Sequence, residues 1–467
     1  MRRGQITIFL ALLLSVVCAL LSVIIESVRE SVMRMQIEAG MDMGMHSIFA
    51  EYNREMLSRY DLFYIDSSYG ERVSIENTEG HLKEYMEANL VDTGEIGSHS
   101  GFNKKGDWFQ LSVVETEIDA YLLASDYEGK VLRNQAVNYM SQYAEPGVHN
   151  ISNIVAEIEG AGIHGGTIAG NRNRVEARIS IRTIVDDINS FRSGNVLTLV
   201  QAGRAVSHKS VPVNSLASHR ALAFGQGQIA NKAEVSEEEA EQLFEQYLCC
   251  KCSNFRKVRE NSALDYETEY LLIGKSSDRE NLTGILTKLI QMRERANVNY
   301  LFEHSGKKEE AHALAVLILT GLALPELEEP LTDAILFAWG YAEAALDVNC
   351  LLVGGRVPAM KTDSDWRLPL KDLLLFRNYM GEGGGSGLSY EEYLHYFLYK
   401  SDDVRNRMRC MDVMEADVRL AEGNSSFQID GCVEYLKATV ETVSGFGYQH
   451  SITRDFGYEI PLLTGQR

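Results

Sequence analysis

Twenty consecutive positions near the start of the chain, Ile6 to Ile25 (ITIFLALLLSVVCALLSVII), carry no charge. A helix of that length rises about 30 Å, the thickness of a bilayer's hydrocarbon core. A helix packed on a soluble core shows a polar stripe, and none is present, so the pattern predicts a transmembrane anchor. A cleaved secretory signal has a shorter apolar run followed by small residues in an A-x-A arrangement, which is absent. Val17 stands before Cys18, where a lipoprotein needs a small residue. The segment therefore reads as an uncleaved, single-pass signal anchor. Arg2, Arg3 and the terminal amine lie at one end, while Glu26, Arg29, Glu30 and Arg34 roughly cancel at the other. The positive-inside rule then places the N-terminus in the cytoplasm and the bulk of the chain outside it.

Helical spacing continues past the anchor at Val28, Val32, Met35, Ala39 and Met43, with no proline before Pro146. This predicts a stalk reaching Tyr60, with a bend at Gly40 and Gly44. Met33, Met35, Met41, Met43, Met45 and Met56 enrich it in soft side chains that suit burial against the chain's own globular part, or a partner. Asp61 to Asp66 (DLFYID) reads as a short strand and Leu111 to Leu123 as a longer one. Residues 145–174 are Gly- and Asn-rich without periodicity, which predicts a loop or lid. Ser236 followed by three glutamates starts an amphipathic helix to about Tyr247.

From Leu264 onward the pattern sharpens. Tyr266 to Gly274 (YETEYLLIG) reads as a strand, and Ser277-Asp278-Arg279-Glu280 as a capping box ahead of apolar positions Leu282, Ile285, Leu286, Leu289 and Ile290. Ala311–Leu324 and Leu331–Val353 predict two antiparallel helices separated by Pro325 and Pro330. The first is short of the roughly twenty residues that a bilayer needs. The second carries Asp333, Glu343 and Asp347, each costing about 2.5–3.5 kcal/mol at mid-bilayer, so both are expected in a protein core. Gly381 to Gly387 (GEGGGSG) predicts a flexible connection. Ser389 caps an aromatic helix with Tyr390, Tyr393, Tyr396, Phe397 and Tyr399, and a further helix reaches about Leu420. Val433–Val443 and Gly447–Thr453 alternate as an antiparallel pair. The predicted architecture is α+β: anchor 1–25, stalk 26–60, and extracytoplasmic α+β regions 61–263 and 264–467.

Composition adds little to this picture except through charge. The formal charge of −21 repels phosphate backbones and argues against nucleic acid as a partner. Candidate chemistry is thin. Gly274-Lys275-Ser276 has the ending of a phosphate-binding loop, but Glu269 stands where that loop needs its first glycine. Cys249-Cys250-Lys251-Cys252 contains a single C-x-x-C spacing without the second ligand pair that zinc requires. The six cysteines outside the anchor allow up to three disulfides or none. His312 and His395 lie in helices and read as packing residues. No G-x-S-x-G elbow or H-E-x-x-H helix occurs. No catalytic, cofactor-binding or metal-ligating residue is singled out, and the expected class is not an enzyme.

The opening GQITIFLALLLSVVCALLSVIIESVR and the following FAEYNREMLSRYDLFYID resemble the TadE/TadG-like exported proteins encoded with Tad (Flp-type) pilus systems of clostridia-like bacteria. The resemblance continues through DYETEYLLIGKSSDRENL, MRERANV, AWGYAEAALDVNCLLVGGRVPAMKTDSDW and SITRDFGYEI. It implies a membrane-anchored structural or assembly component of a pilus or related envelope apparatus. Its partners would be the lipid bilayer and pilus or secretion-system proteins, with no cofactor. Gly4 stands where a prepilin has its cleavage glycine, but Phe9 replaces the usual glutamate. The alternative function is an anchored adhesin or sensor, with the aromatics at Tyr390–Tyr399 as its binding feature.

Overall fold

One helix carries the apolar run into the folded part of the chain. The computed structural model describes residues 2–90, 109–143, 151–161, 196–200, 205–228, 236–321, 324–381 and 383–458. Helix α1 spans Arg2–Ala50 without a break. A turn follows, and Asn53 then caps α2 (Arg54–Tyr60) by accepting hydrogen bonds from the Glu55 and Met56 amides. The predicted continuous helix therefore ends at Ala50 rather than Tyr60. The helix runs through Gly40 and Gly44 without interruption. A Cβ on Gly40 would lie 3.1 Å from a Leu90 carbon, and one on Gly44 would lie 3.3 Å from Leu82 and from the Met86 sulfur. They admit α3 (Ile75–Leu90) to close packing on α1. Met33, Met41, Met45 and Met56 are buried, while Met35 and Met43 face solvent.

The chain forms two compact units. The first combines Met1–Leu132, Leu222–Lys232 and Ala421–Arg467; the second combines Arg133–Ala221 and Ala233–Leu420. This division is discontinuous and does not fall at the boundary read between residues 263 and 264. The reason lies in the sheet of the first unit. Its strands are β1 (Ile65–Asp66), β2 (Ser112–Leu123), β3 (Cys432–Val443) and β4 (Gln449–Gly457). All pairings are antiparallel and all involve β3. Ser112 opposes Val443 at one end of β2 and Leu123 opposes Val433 at the other. The C-terminal hairpin thus completes a sheet begun more than 300 residues earlier. Along β3, Leu436, Ala438 and Val440 point to one buried face, as the two-residue period of a strand requires. Ile37, Met41, Met45, Ile48 and Phe49 of α1 and Leu82 and Met86 of α3 share that core.

Two strand predictions shrink or fail. Of Asp61–Asp66, only Ile65 and Asp66 pair, with Val433 and Cys432. Asp61 takes a left-handed conformation that closes α2, and the Tyr64 carbonyl accepts from the Asn53 amide at 2.8 Å. Tyr266–Gly274 is not a strand. The boundary between the units lies inside α4 (Asp126–Tyr143). The second unit then holds α5 (Ile151–Gly160), α6 (Val196–Val200), α7 (Glu237–Lys251), α8 (Glu267–Ile273), α9 (Asp278–Glu303), α10 (Ser305–Thr320), α11 (Glu328–Leu352), α12 (Tyr390–Tyr399) and α13 (Asp403–Val418). Helix α8 replaces the expected strand because its polar members are not solvent-facing: Glu267 to Leu272 are all buried. Part of the stretch read as a loop, 145–174, is the amphipathic α5 with Ile151, Ile154 and Ile158 inward. The remainder, 145–150 and 162–174, lies outside the described residues.

The capping signals sit where the sequence places them. Ser236, Ser277 and Ser389 accept hydrogen bonds from the amides three residues on, and Ser389 with Glu392 forms a full capping box. Helix α11 packs on α9 and α10. By length and composition it could cross a membrane, but 94% of its apolar window is buried in the fold. Its neighbour α10 buries only Ala311, Ala315 and Leu319 and leaves Leu317 72% exposed, so it lines the core on one face only. The Gly381–Gly387 connection is tied down: Gly384 accepts from the Arg356 amide and Gly387 from Arg356 Nε.

Candidate functional site

Two features stand apart from ordinary packing. The first is the N-terminal part of α1. From Ile8 to Ile25 its side chains are bare on every side, and the most apolar window has a mean hydropathy of 3.1 with no buried residue. Soluble monomers rarely expose apolar patches beyond a few hundred Å². Thirteen of these eighteen residues are Leu, Ile, Val or Phe, so the run exceeds that limit severalfold.

The second is a group of buried charges in the second unit. Arg293 and Asn297 lie one turn apart on α9, and Glu343 and Asp347 lie one turn apart on α11, so each pair shares a helix face. Arg293 Nε is 3.1 Å from Asp347 Oδ2, which also accepts from Asn297 Nδ2 at 3.0 Å. Lys361 Nζ sits 2.6 Å from Asp347 Oδ1 and also pairs with Glu343. Glu343 accepts from the amides of Arg367 at 3.0 Å and Leu368 at 2.9 Å. Arg293 Nη1 donates to the Ala359 carbonyl at 2.9 Å and to Tyr393 Oη at 3.2 Å. All four charged side chains are essentially without solvent exposure. Two cations meet two anions, so the group is neutral overall. Burial by itself would raise the Asp347 carboxyl; Lys361 and then Arg293 outweigh it and hold Asp347 below the usual carboxylate range. Close backbone approach supports the geometry, because a Cβ on Gly340 would fall 2.6 Å from Val298 Cγ2. Trp339 and Trp366 both donate to the Leu368 carbonyl, with Lys307 over their rings.

Helix α8 brings further charge inside. Arg259 Nη2 bridges Glu267 at 2.9 Å and Asp417 at 2.7 Å. Burial, and then the Asp417 carboxylate, raise Glu267. Asp412 accepts from the Ser218 amide at 2.8 Å and from Tyr270 Oη at 2.7 Å. Glu269 accepts from the Phe255 amide and Tyr390 Oη, and burial pushes it up to about 7. Glu245, 3.9 Å from His395 Nε2, is raised to about 8, by burial first and then by Asp403 and Glu241.

A folded-state pKa above the unfolded one gives stability that is complete below the unfolded value and lost as pH rises through the folded one. For Glu245 that window runs from its ordinary 4.5 to about 8. Glu245→Gln is therefore expected to reduce the fall in melting temperature between pH 5 and pH 8. Parallel thermal unfolding of the two proteins at both values checks this, and an unchanged slope would contradict the assignment.

These arrangements tie helices together rather than opening onto solvent. A crevice lined by Val211, Leu216, Leu264, Tyr270 and Asp412 has about 180 Å³ of empty space, open solvent included, and no room for a water-sized sphere. Among the described residues no group of three or more His, Cys, Asp or Glu gathers to hold a metal ion. The Gly274-Lys275-Ser276 segment connects α8 to α9. Gly274 is the left-handed cap of α8, and the Lys275 amide donates to Asn281 Oδ1 at 2.8 Å. None of the seven cysteines is joined in a disulfide in this structure. His395 is a buried packing residue, as read. His312 is instead on the exposed side of α10, its Nδ1 3.3 Å from Thr332 Oγ1.

The charge network escaped sequence reading because its members are spread from residue 293 to residue 393. One signal was available: two acids four residues apart in an otherwise apolar helix demand internal cations. No curated protein and no solved structure matches the chain. A family model matches residues 175–444, more than half of the chain, and this stretch contains the whole network while beginning well after α1. The chain belongs to that family, a family of unknown function (DUF5702).

Proposed function

We propose that this chain is a single-pass membrane protein of the cell envelope, and that it serves as a structural or assembly component of a Tad (Flp-type) pilus or a related apparatus. Its N-terminus lies in the cytoplasm and its two units lie outside. The observation that carries the anchoring is the contrast along α1: bare and apolar to Ile25, then packed into the first unit from Met33 onward. A secretory signal destined for removal has a shorter apolar run followed by small residues in an A-x-A arrangement, and neither is found at the end of this run. The TadE/TadG-like resemblance of the opening and of the later motifs supports the pilus assignment. The alternative, an anchored adhesin or sensor, rests on the aromatics at Tyr390–Tyr399, of which Tyr390 and Tyr393 are fully buried while Phe397 and Tyr399 are partly exposed.

Protease added to intact protoplasts is expected to degrade the chain to a short N-terminal remnant. Full-length protein surviving in sealed cells while being cut in lysed ones would reverse the topology. Deleting the gene and scoring surface pili by electron microscopy tests the apparatus assignment; unchanged piliation and adhesion would refute it.

A further inference from the structure

In the first unit, β4 lies along α1 and the two advance together. Arg454 Nε meets Asp42 at 2.9 Å, and Phe456 packs on His46 at 4.9 Å and Phe49 at 4.7 Å between ring centroids. Tyr458 Oη donates to the Phe49 carbonyl at 2.6 Å. At the other end, the turn joining β3 to β4 meets α1 at Arg29, whose guanidinium carbon is 4.5 Å from the centre of the Phe446 ring. Phe446 sits between Gly445 and Gly447 and remains 52% exposed, an aromatic held out at the tip of a hairpin. The turn is firmly built: the Ser444 amide donates to the Tyr448 carbonyl, and the Gly445 amide to the Phe109 carbonyl, each at 2.9 Å.

We infer that this hairpin tip, Phe446 with Arg29, is a lipid-contact point that seats the first unit on the outer surface of the bilayer. The inference rests on the reading of α1 as a membrane-spanning helix. Given that reading, the height of the tip follows from helix geometry. Arg29 lies four residues past Ile25, or about 6 Å beyond the end of the apolar run. The headgroup layer occupies roughly 5–8 Å on each side of the hydrocarbon core. The Phe446 ring therefore lies in the layer where amphipathic side chains favour both lipid and water, and Val28, also exposed, lies at the same level. Arg29, paired with Glu26 at 3.3 Å, keeps its charge where phosphates and water can meet it. Lipid is the occupant favoured over a second copy of the chain, because the helix bearing Arg29 itself fixes the distance of the tip from the membrane.

The test uses the full chain in phosphatidylcholine and phosphatidylglycerol vesicles containing a radiolabelled lipid. Photoreactive benzoylphenylalanine replaces one phenylalanine at a time. Phe9, in the apolar run, reports on the anchor itself. Phe224 is 75% exposed in the same unit, and its carbonyl accepts from Tyr121, which opposes Leu436. That places it about 24 Å of strand away from Val443 and the tip. All three side chains are solvent-facing, so the replacements leave the core intact. Light is expected to give lipid adducts at positions 9 and 446 and only background at 224. Adduct at 9 without adduct at 446 overturns the inference and leaves the anchor standing. No adduct at either position overturns both. Labelling at 224 equal to that at 446, or cross-linking of 446 to a second copy of the chain, also overturns it.

Discussion

Asp347→Ala is expected to destabilise the second unit by about 3–5 kcal/mol, the usual cost of leaving a buried ion without its partner. The residue neutralises Lys361 through Oδ1 and Arg293 through Oδ2, and Asn297 completes its coordination. Its removal leaves two buried cations facing the single carboxylate of Glu343. Domains are stable by only about 5–15 kcal/mol, so the loss consumes much of the margin. The measurement is denaturant unfolding of the detergent-solubilised chain, followed by hydrogen exchange in α9 and α11. Protection in those helices should fall first. The native carboxyl is held below its ordinary range, so its contribution is present at neutral pH. It is lost only as pH falls through the lowered value.

The same geometry separates a charge effect from a packing effect. Lys361→Met alone leaves Glu343 with its two amide donors but unbalances Asp347, which keeps Arg293. Combining Lys361→Met with Asp347→Asn restores neutrality between Arg293 and Glu343. The pair should therefore cost less than the sum of its members, with a coupling of about 0.5–3 kcal/mol. Strict additivity would mean that the group acts through shape alone.

How much of this was legible in the sequence depends on where the partner of each side chain lies. Signals that act within one turn survived: Ser236, Ser277 and Ser389 all cap, because the amide they accept from is three residues away. Alternation along Val433–Val443 identified β3 because one face is buried and the other is not. The reading of YETEYLLIG failed for the opposite reason. Glu267 and Glu269 are buried and accept from the Ser253 and Phe255 amides, so the polar positions of this stretch do not mark a solvent face. A pattern of polar positions identifies a strand only if polar means exposed. The discontinuous units were illegible for a further reason: no local feature of Ser112–Leu123 announces a partner at residues 433–443. The charges on α11 read as an obstacle to lipid, yet the cations that meet Glu343 and Asp347 stand on other segments.

The second large effect concerns the apolar run, where the energies can be set against one another. Fourteen of its twenty residues are Leu, Ile, Val or Phe. At roughly −0.3 to −0.6 kcal/mol each, they favour insertion by about 4–8 kcal/mol. One arginine at the centre costs about 2.5–3.5 kcal/mol and removes one favourable side chain, so Leu14→Arg should leave most of the protein in the membrane. Adding Val17→Arg brings the total cost to about 6–8 kcal/mol and cancels the preference. The carbonate-resistant membrane fraction should therefore fall only slightly in the single variant and steeply in the double one. Because side chains from Ile8 to Ile25 pack on nothing in the fold, both variants should keep the thermal unfolding of the native chain. A double variant that folds and still resists carbonate would mean that another segment holds the protein to lipid. α11 is the only other helix of sufficient length and apolarity among the described residues, and to reach the bilayer it would have to give up its buried contacts with α9 and α10.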